Sequence, residues 1–394
     1  MRIFFAAAPA YGLMLPIVPL IWAARAAGHE VLLATAGEMA EVGAEAGLPV
    51  VDVHPDRERW AALMGLIGRP DAVPAGSPPE IVAASRQRPP FAMFCAVMTE
   101  PTIAAARAFE PDLIAYTGDH LTGTLTASVL GLPALEIGNR VGWSSRDAGW
   151  RARGNPFGGE DVAGPLRARL GIPDDPPRLV ARIDPRAPSM GGLAADQPDD
   201  VDQVPWWPMQ YVPYNGGTVL PAWALEPQPR PMIGVTLGTV VPSVSGTSSL
   251  GVVVEALADL DVDVVLAAGK ADLSGLGQLP ENVRSVGYLP LSAFLPRCAV
   301  LVHHGGSGTT AAPLFYGVPQ LVLPAFADNP LSAQRVVDRG VGLSHDPATI
   351  DPPTVRGLVD RLLHEPVFRG AAEDVRAEIA AMPTPASITQ RLFA

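Results

Sequence analysis

His303-His304-Gly305-Gly306-Ser307-Gly308-Thr309-Thr310 follows directly on the apolar run Ala299-Val300-Leu301-Val302. The order reads as strand, glycine turn, helix start. A helix N-terminus presents unpaired backbone N–H groups and the positive end of its dipole, and glycines let an anion approach the backbone closely. The two histidines add donors at the carboxyl end of the strand. Other readings compete with an anion site. A nucleoside-triphosphatase loop needs a Lys before its Ser/Thr, and the octet has none. A zinc site is disfavoured, because no Cys, Asp or Glu stands at ligand spacing and adjacent side chains rarely converge on one ion. A plain tight turn needing glycine for positive φ accounts for the glycines alone. The whole octet is more specific than that.

Outward from the octet, residues 232–237, 262–267, 283–286, 300–303 and 320–323 read as strands, with helices over 252–260, 311–316, 330–339 and 353–363. A last amphipathic stretch, 371–381, leads to a tail. The first half alternates in the same way, with strands at 3–8, 31–34, 50–53, 113–116 and 134–137. Short apolar runs separated by helices indicate parallel sheets covered on both faces. The fold class is therefore α/β, with two doubly wound, Rossmann-like parallel-sheet domains. The alternation fails over 52–90 and 138–165, which read as long loops or partly helical insertions. Loops at the carboxyl ends of parallel strands are where such sheets bind ligands. Residues 205–231, rich in proline around Trp206-Trp207 and 211–217, have no helical period and read as a semi-rigid connection. The expected division is 1–212, a linker at 213–231, a second domain at 232–376, and a tail at 377–394 that packs back on the first domain.

At 394 residues, about two domains is the natural prior. A net charge of −12, with basic residues that are mostly Arg, argues against binding nucleic acid by phosphate neutralisation. Cys95 and Cys298 are too few for a disulfide framework, so a reducing cytoplasm is the expected setting. The uncharged run between Arg2 and Arg25 imitates a signal peptide. Pro9, Gly12, Pro16 and Pro19 interrupt any spanning helix there, however, and a strand resumes just after Gly28. A βα unit explains the run better, and no membrane association is expected.

Two doubly wound halves, a Pro-rich connection and His-His-Gly-Gly-x-Gly-Thr together resemble the inverting, metal-independent nucleotide-sugar glycosyltransferases of the GT-B fold. The likeness spans the chain and is nearest the actinobacterial group that moves deoxysugars onto polyketide, enediyne and macrolide antibiotics. Residues 26–31, 211–216, 237–239, 287–291, 317–320 and 382–385 support it. The resemblance implies that His304 touches the donor diphosphate while Gly306, Ser307, Gly308 and Thr309 cradle it, with Thr239 facing them. It implies that Tyr288 stacks on the pyrimidine and Leu289 bonds the base edge. Asp328-Asn329 stands where the family has an Asp-Gln contacting sugar hydroxyls. Plant relatives with uridine donors carry a Glu eight residues after the phosphate-binding His, where this chain has Ala312. That difference suits a 2′-deoxyribose and hence a thymidine-diphosphate sugar (dTDP-sugar) as co-substrate, with no further cofactor and no metal.

The family's usual general base is a histidine in the first βα turn, and its place is taken by Leu13. A hydroxyl is a weak nucleophile until its proton is removed. Asp119 and His120, after the strand at 113–116, are the expected catalytic groups. An N-cap Asp and a solvated His would account for the same residues. Glu136, Arg140, Trp143 and Leu13 are expected to meet the acceptor, with Trp150 and the stretch 60–94 forming its wall. Some relatives lacking the turn histidine attach sugars to carbon, which keeps C-glycosylation open beside the favoured O-glycosylation. The acidic residue of those enzymes would fall near Arg140. The expected partners are a nucleotide-sugar donor and a hydrophobic small-molecule acceptor, and a homodimer is compatible with the sequence. A non-catalytic homologue that binds an aglycone or a partner transferase is the alternative, and an epimerase of the same fold ranks last.

Overall fold

The computed structural model describes residues 1–87, 89–147, 160–226, 229–238, 248–269 and 271–392. Thr239 and Trp150 lie outside the described residues. The first half forms an eight-stranded sheet from β1 (Arg2–Ala6), β2 (Glu30–Thr35), β3 (Val50–Asp52), β4 (Leu113–Thr117), β5 (Ala134–Ile137), β6 (Leu179–Asp184), β7 (Gln197–Pro198) and β8 (Pro205–Pro208). Its order is β3-β2-β1-β4-β5-β6-β8-β7, parallel except for the β7 edge. The second sheet contains β9 (Met232–Thr236), β10 (Asp263–Leu266), β11 (Val283–Ser285), β12 (Cys298–His303), β13 (Gln320–Val322) and β14 (Gly342–Ser344). It is parallel, in the order β11-β10-β9-β12-β13-β14.

Strands β6, β7, β8 and β14 were not expected from the sequence. Residues 205–208 belong to the first sheet instead of starting the connection. Pro205 and Pro208 bracket the strand, so the run reads as Pro-rich, yet Trp206 and Trp207 are buried in it. The insertion at 52–90 carries helices Arg57–Met64 and Pro79–Ser85. Helix Pro385–Leu392 packs against helix Val18–Ala26, with Ile388 in the first half's core and Arg391 4.1 Å from the Trp207 ring centroid. Among the described residues no helix is long and apolar enough to cross a membrane.

In each half the strand order reverses direction beside the first strand, between β1 and β4 and between β9 and β12. A sheet opens a crevice at the carboxyl ends of its strands at such a switch point. The two crevices face each other. Their common wall is stitched by polar contacts between 138–147 and helix Asn329–Arg339. Arg335 donates to the Gly142 carbonyl (3.4 Å) and pairs with Asp147 (3.3 Å), and a Cβ at Gly142 would stand 2.8 Å from the Ser332 nitrogen.

Candidate functional site

The facing crevices enclose a cleft of about 890 Å³. Its second-half wall is built from the opening octet. β12 ends at His303, and alternation along a strand sends adjacent side chains to opposite faces. His303 turns inward: its Nε2 meets Gln320 Oε1 at 2.8 Å and its Nδ1 accepts from Gly305 N at 3.1 Å. Both nitrogens are thus engaged in the fold, and His303 supplies no donor to the cleft, contrary to the expectation that both histidines do so. Those partners require the neutral Nε2–H tautomer, in keeping with a pKa lowered to about 3 by burial and by His304.

His304 lines the cleft. Its pKa is lowered to about 4, first by burial, so its imidazole is neutral at neutral pH. Gly305 takes φ +87 to turn the chain, and Gly306 caps helix Ser307–Tyr316. By helix geometry the N–H groups of Gly306, Ser307, Gly308 and Thr309 lack intrahelical carbonyls. Gly306, Ser307, Gly308 and Thr309 all line the cleft, as do Tyr288, Leu289, Asp328 and Asn329. Tyr288 donates from its hydroxyl to the Asn215 carbonyl, so the connecting segment fixes its ring. Ala312, within helix Ser307–Tyr316, is fully buried and packs in a cluster with Leu289 and Leu291.

The first half contributes an apolar wall that includes Leu13, Pro16, Phe91 and Phe94. Trp60, expected in this wall, stacks behind Phe94 with ring centroids 5.9 Å apart. Arg140 reaches the cleft from the loop after β5. Its Nη1 donates to Asp328 Oδ2 at 2.7 Å, while Nε and Nη2 donate to Asp119 Oδ2 at 3.2 and 2.9 Å. Asn139 Nδ2 donates to Asp119 (3.2 Å) and to the Leu13 carbonyl (3.1 Å).

Four expected site residues stand behind the cleft lining and not in it. Asp119 is buried as the counter-ion of Arg140, and of the two only Arg140 lines the cleft. His120 is the N-cap residue of helix Leu121–Leu130, fully buried, with its pKa lowered to about 4 by burial. Trp143 packs against Arg140, 5.1 Å from guanidinium carbon to ring centroid. Glu136 accepts from Ser145 Oγ (2.8 Å) and sits 3.4 Å from Arg182 Nε. The sequence reading missed Tyr11, Tyr211, Tyr214 and Phe326, all of which line the cleft. Tyr11, in the first βα turn, bonds Glu38 (3.1 Å) and stands 6.3 Å from the Tyr288 ring. Its place beside Leu13 was the available signal. Among the described residues no three His, Cys, Asp or Glu side chains gather as a metal site.

Two Rossmann-like sheets with a helix N-terminus opening into the cleft between them form the GT-B architecture. The chain belongs to the antibiotic deoxysugar glycosyltransferases of this fold: residues 251–394 match the C-terminal domain, and 22–70 with 82–238 the N-terminal domain, of the erythromycin biosynthesis protein CIII-like family. It is 38% identical to the elloramycin glycosyltransferase ElmGT of Streptomyces olivaceus, over all of this chain and 97% of that one. It is similar in structure to the glycosyltransferase SnogD from Streptomyces nogalater (TM-score 0.79, 34% identity, covering 100% and 98% of the two chains). It also resembles the Streptomyces sp. SF2575 glycosyltransferase SsfS6 complexed with thymidine diphosphate (TM-score 0.76, 31% identity, 100% and 99% covered).

Proposed function

We propose that this chain transfers a deoxysugar from a thymidine-diphosphate donor to a hydrophobic natural-product acceptor, by single displacement with inversion at the anomeric carbon. The observation that carries this reading is the start of helix Ser307–Tyr316, which opens beside His304 into a cleft whose opposite wall is apolar. The departing diphosphate gains negative charge in the transition state. Preorganised N–H donors at a helix start favour that state over the ground state. His304, Gly306, Ser307, Gly308 and Thr309 are assigned to the diphosphate, Tyr288 and Leu289 to the base, and Asp328 and Asn329 to the sugar.

The thymidine preference is supported by Ala312, which offers no acceptor to a ribose 2′-hydroxyl, and by the thymidine diphosphate held by SsfS6. Single displacement is supported by the lining. Among the described residues Asp328 is its one carboxylate, and that group is already bonded to Arg140, so no free carboxylate faces the cleft to form a glycosyl intermediate. A single carboxylate is likewise a poor nest for a divalent cation, which supports transfer without metal. Thermal-shift titration tests the donor assignment. Thymidine diphosphate should raise Tm, and more than uridine diphosphate does; no shift with either would remove it. Binding without transfer to any acceptor would return the non-catalytic reading.

A further inference from the structure

Among the described residues the cleft lining contains groups that bind but none suited to take a proton. Among the described residues its titratable lining is Tyr11, Tyr211, Tyr214, Tyr288, Arg140, His304 and Asp328. The tyrosines stay protonated: burial raises all four, Tyr288 to about 12, and burial together with Glu38 raises Tyr11 to about 12. Arg140 has no lone pair to offer. The His304 ring is wedged between Gly238 and Gly306, on the donor side, and burial has weakened it as a base. Protonating Asp328 would break its 2.7 Å pair with Arg140. Asp119 is buried outside the lining and tied by Arg140 and Asn139. The stretches 148–159 and 239–247 contain no Asp, Glu or His.

We propose, on the transferase reading above, that the acceptor is a phenol that ionises without an enzyme base, and that the cleft selects aromatic hydroxyls over aliphatic alcohols. The acidity of the acceptor decides the matter. A phenol of pKa about 10 needs only a few units of help to ionise near neutral pH. At pH 8 about one molecule in a hundred of such a phenol is already ionised, so the acceptor's own acidity supplies the nucleophile while Arg140 stays paired with Asp119 and Asp328. A hydroxyl as weakly acidic as water, with pKa about 15.7, stays out of reach by that means. The step balances without a further reactant. The phenol loses its proton to solvent, its oxygen forms the bond to the anomeric carbon, and the bond from that carbon to the β-phosphate oxygen breaks, its electron pair leaving with thymidine diphosphate. Phe91, Phe94 and Leu13 supply a wall on which a flat ring can lie.

The test uses the full chain with thymidine-diphosphate glucose and rhamnose as donors. The acceptors are ring-substituted naphthols of graded acidity and the matching naphthylmethanol, with release of thymidine diphosphate followed against pH. Naphthols should exceed naphthylmethanol in kcat/KM by at least about 100-fold, the scale of a general base that the alcohol lacks. The pH inflection should move with the pKa of each naphthol. In Asp119→Asn the rate should fall while that inflection stays with the acceptor, as a positioning role requires. Equal transfer to naphthylmethanol, or one inflection common to all acceptors, would overturn the inference and leave the transferase reading standing. No release of thymidine diphosphate with any acceptor would overturn both.

Discussion

Gly306→Ala isolates the packing between the octet and His304. Gly306 has φ −60 and ψ 142, a conformation open to alanine, so backbone strain plays no part. The obstacle is the imidazole: an added Cβ would stand 3.1 Å from His304 Cε1 and closer still to Nε2. The ring is buried and wedged between Gly238 and Gly306. Overpacking of this kind costs about 1–3 kcal/mol, and displacing a positioned group by about 1 Å can cost a factor of about 100. Thymidine diphosphate should therefore bind between about 5-fold and 150-fold more weakly, the range that 1–3 kcal/mol spans. Calorimetric titration of parent and variant measures this directly. Gly308→Ala controls for the fold, since its Cβ would meet nothing nearer than the Tyr211 hydroxyl at 3.8 Å. The ligand-free Tm of Gly308→Ala should match the parent, while that of Gly306→Ala falls. Binding by Gly306→Ala within two-fold of the parent would refute the claim that the His304 ring belongs to the diphosphate cradle.

Stability should fall as pH drops below about 6.5, because burial holds His120, His303 and His304 at about 4, 3 and 4. The unfolded chain binds protons there that the folded chain does not, at a cost on the order of 2 kcal/mol per histidine at pH 5. Urea midpoints between pH 7.5 and 5 would show it, and a flat profile would contradict these burials. Arg140→Leu leaves two carboxylates buried without their cation, their side chains 0% and 7% exposed, and should cost about 3–5 kcal/mol in urea unfolding. Adding Asp119→Asn should recover part of that loss; no recovery would mean that the cost lies in packing against Phe91 and Trp143. Leu13→His places an imidazole in the cleft wall near Asp119 and should raise transfer to an aliphatic alcohol by about 10-fold or more. Kinetics with naphthylmethanol would measure this, and no gain would show that proton removal does not limit the alcohol.

The octet was legible because everything it needs is local. A strand, a positive-φ glycine and a helix start lie within twelve residues, and each has its own residue signature. The opposed directions of His303 and His304 follow from strand alternation, but which of them faces the cleft depends on Gln320, a partner seventeen residues away on the neighbouring strand. Asp119 shows the limit more sharply. Its position after β4 predicts a group at the mouth of the first crevice, and the chain does bring it there. Arg140, on the next loop, then pairs with it and turns a potential base into a counter-ion. No periodicity in either segment encodes that pairing. Tyr211 and Tyr214 escaped for a different reason: the Pro-rich connection has no repeating pattern to show which side faces in, and its path is set by the two sheets it joins.

The polar chain through the site bears on how any variant in it should be interpreted. Ser307 Oγ donates to Asp328 Oδ2 (3.4 Å), Arg140 donates to the same oxygen and also to Asp119, and Asn139 links Asp119 to the carbonyl of Leu13. The line runs from the helix start that is proposed to hold the diphosphate to the turn where a base is missing. Asp328 is therefore shared between donor and acceptor sides, and a substitution there removes a proposed sugar contact while also unbalancing Arg140. Residues in one such network do not contribute additively, and their interaction energies run to about 0.5–3 kcal/mol. A double-mutant cycle between Asp328→Asn and Ser307→Ala, read in thymidine diphosphate affinity, should show a coupling in that range. The same cycle between Asp328→Asn and Gln334→Ala, whose side chain bonds Asp338 on the exposed face, should show none. Additive behaviour in the first cycle would mean that the 3.4 Å contact between Ser307 and Asp328 carries no energy, and the two halves of the site would then act independently.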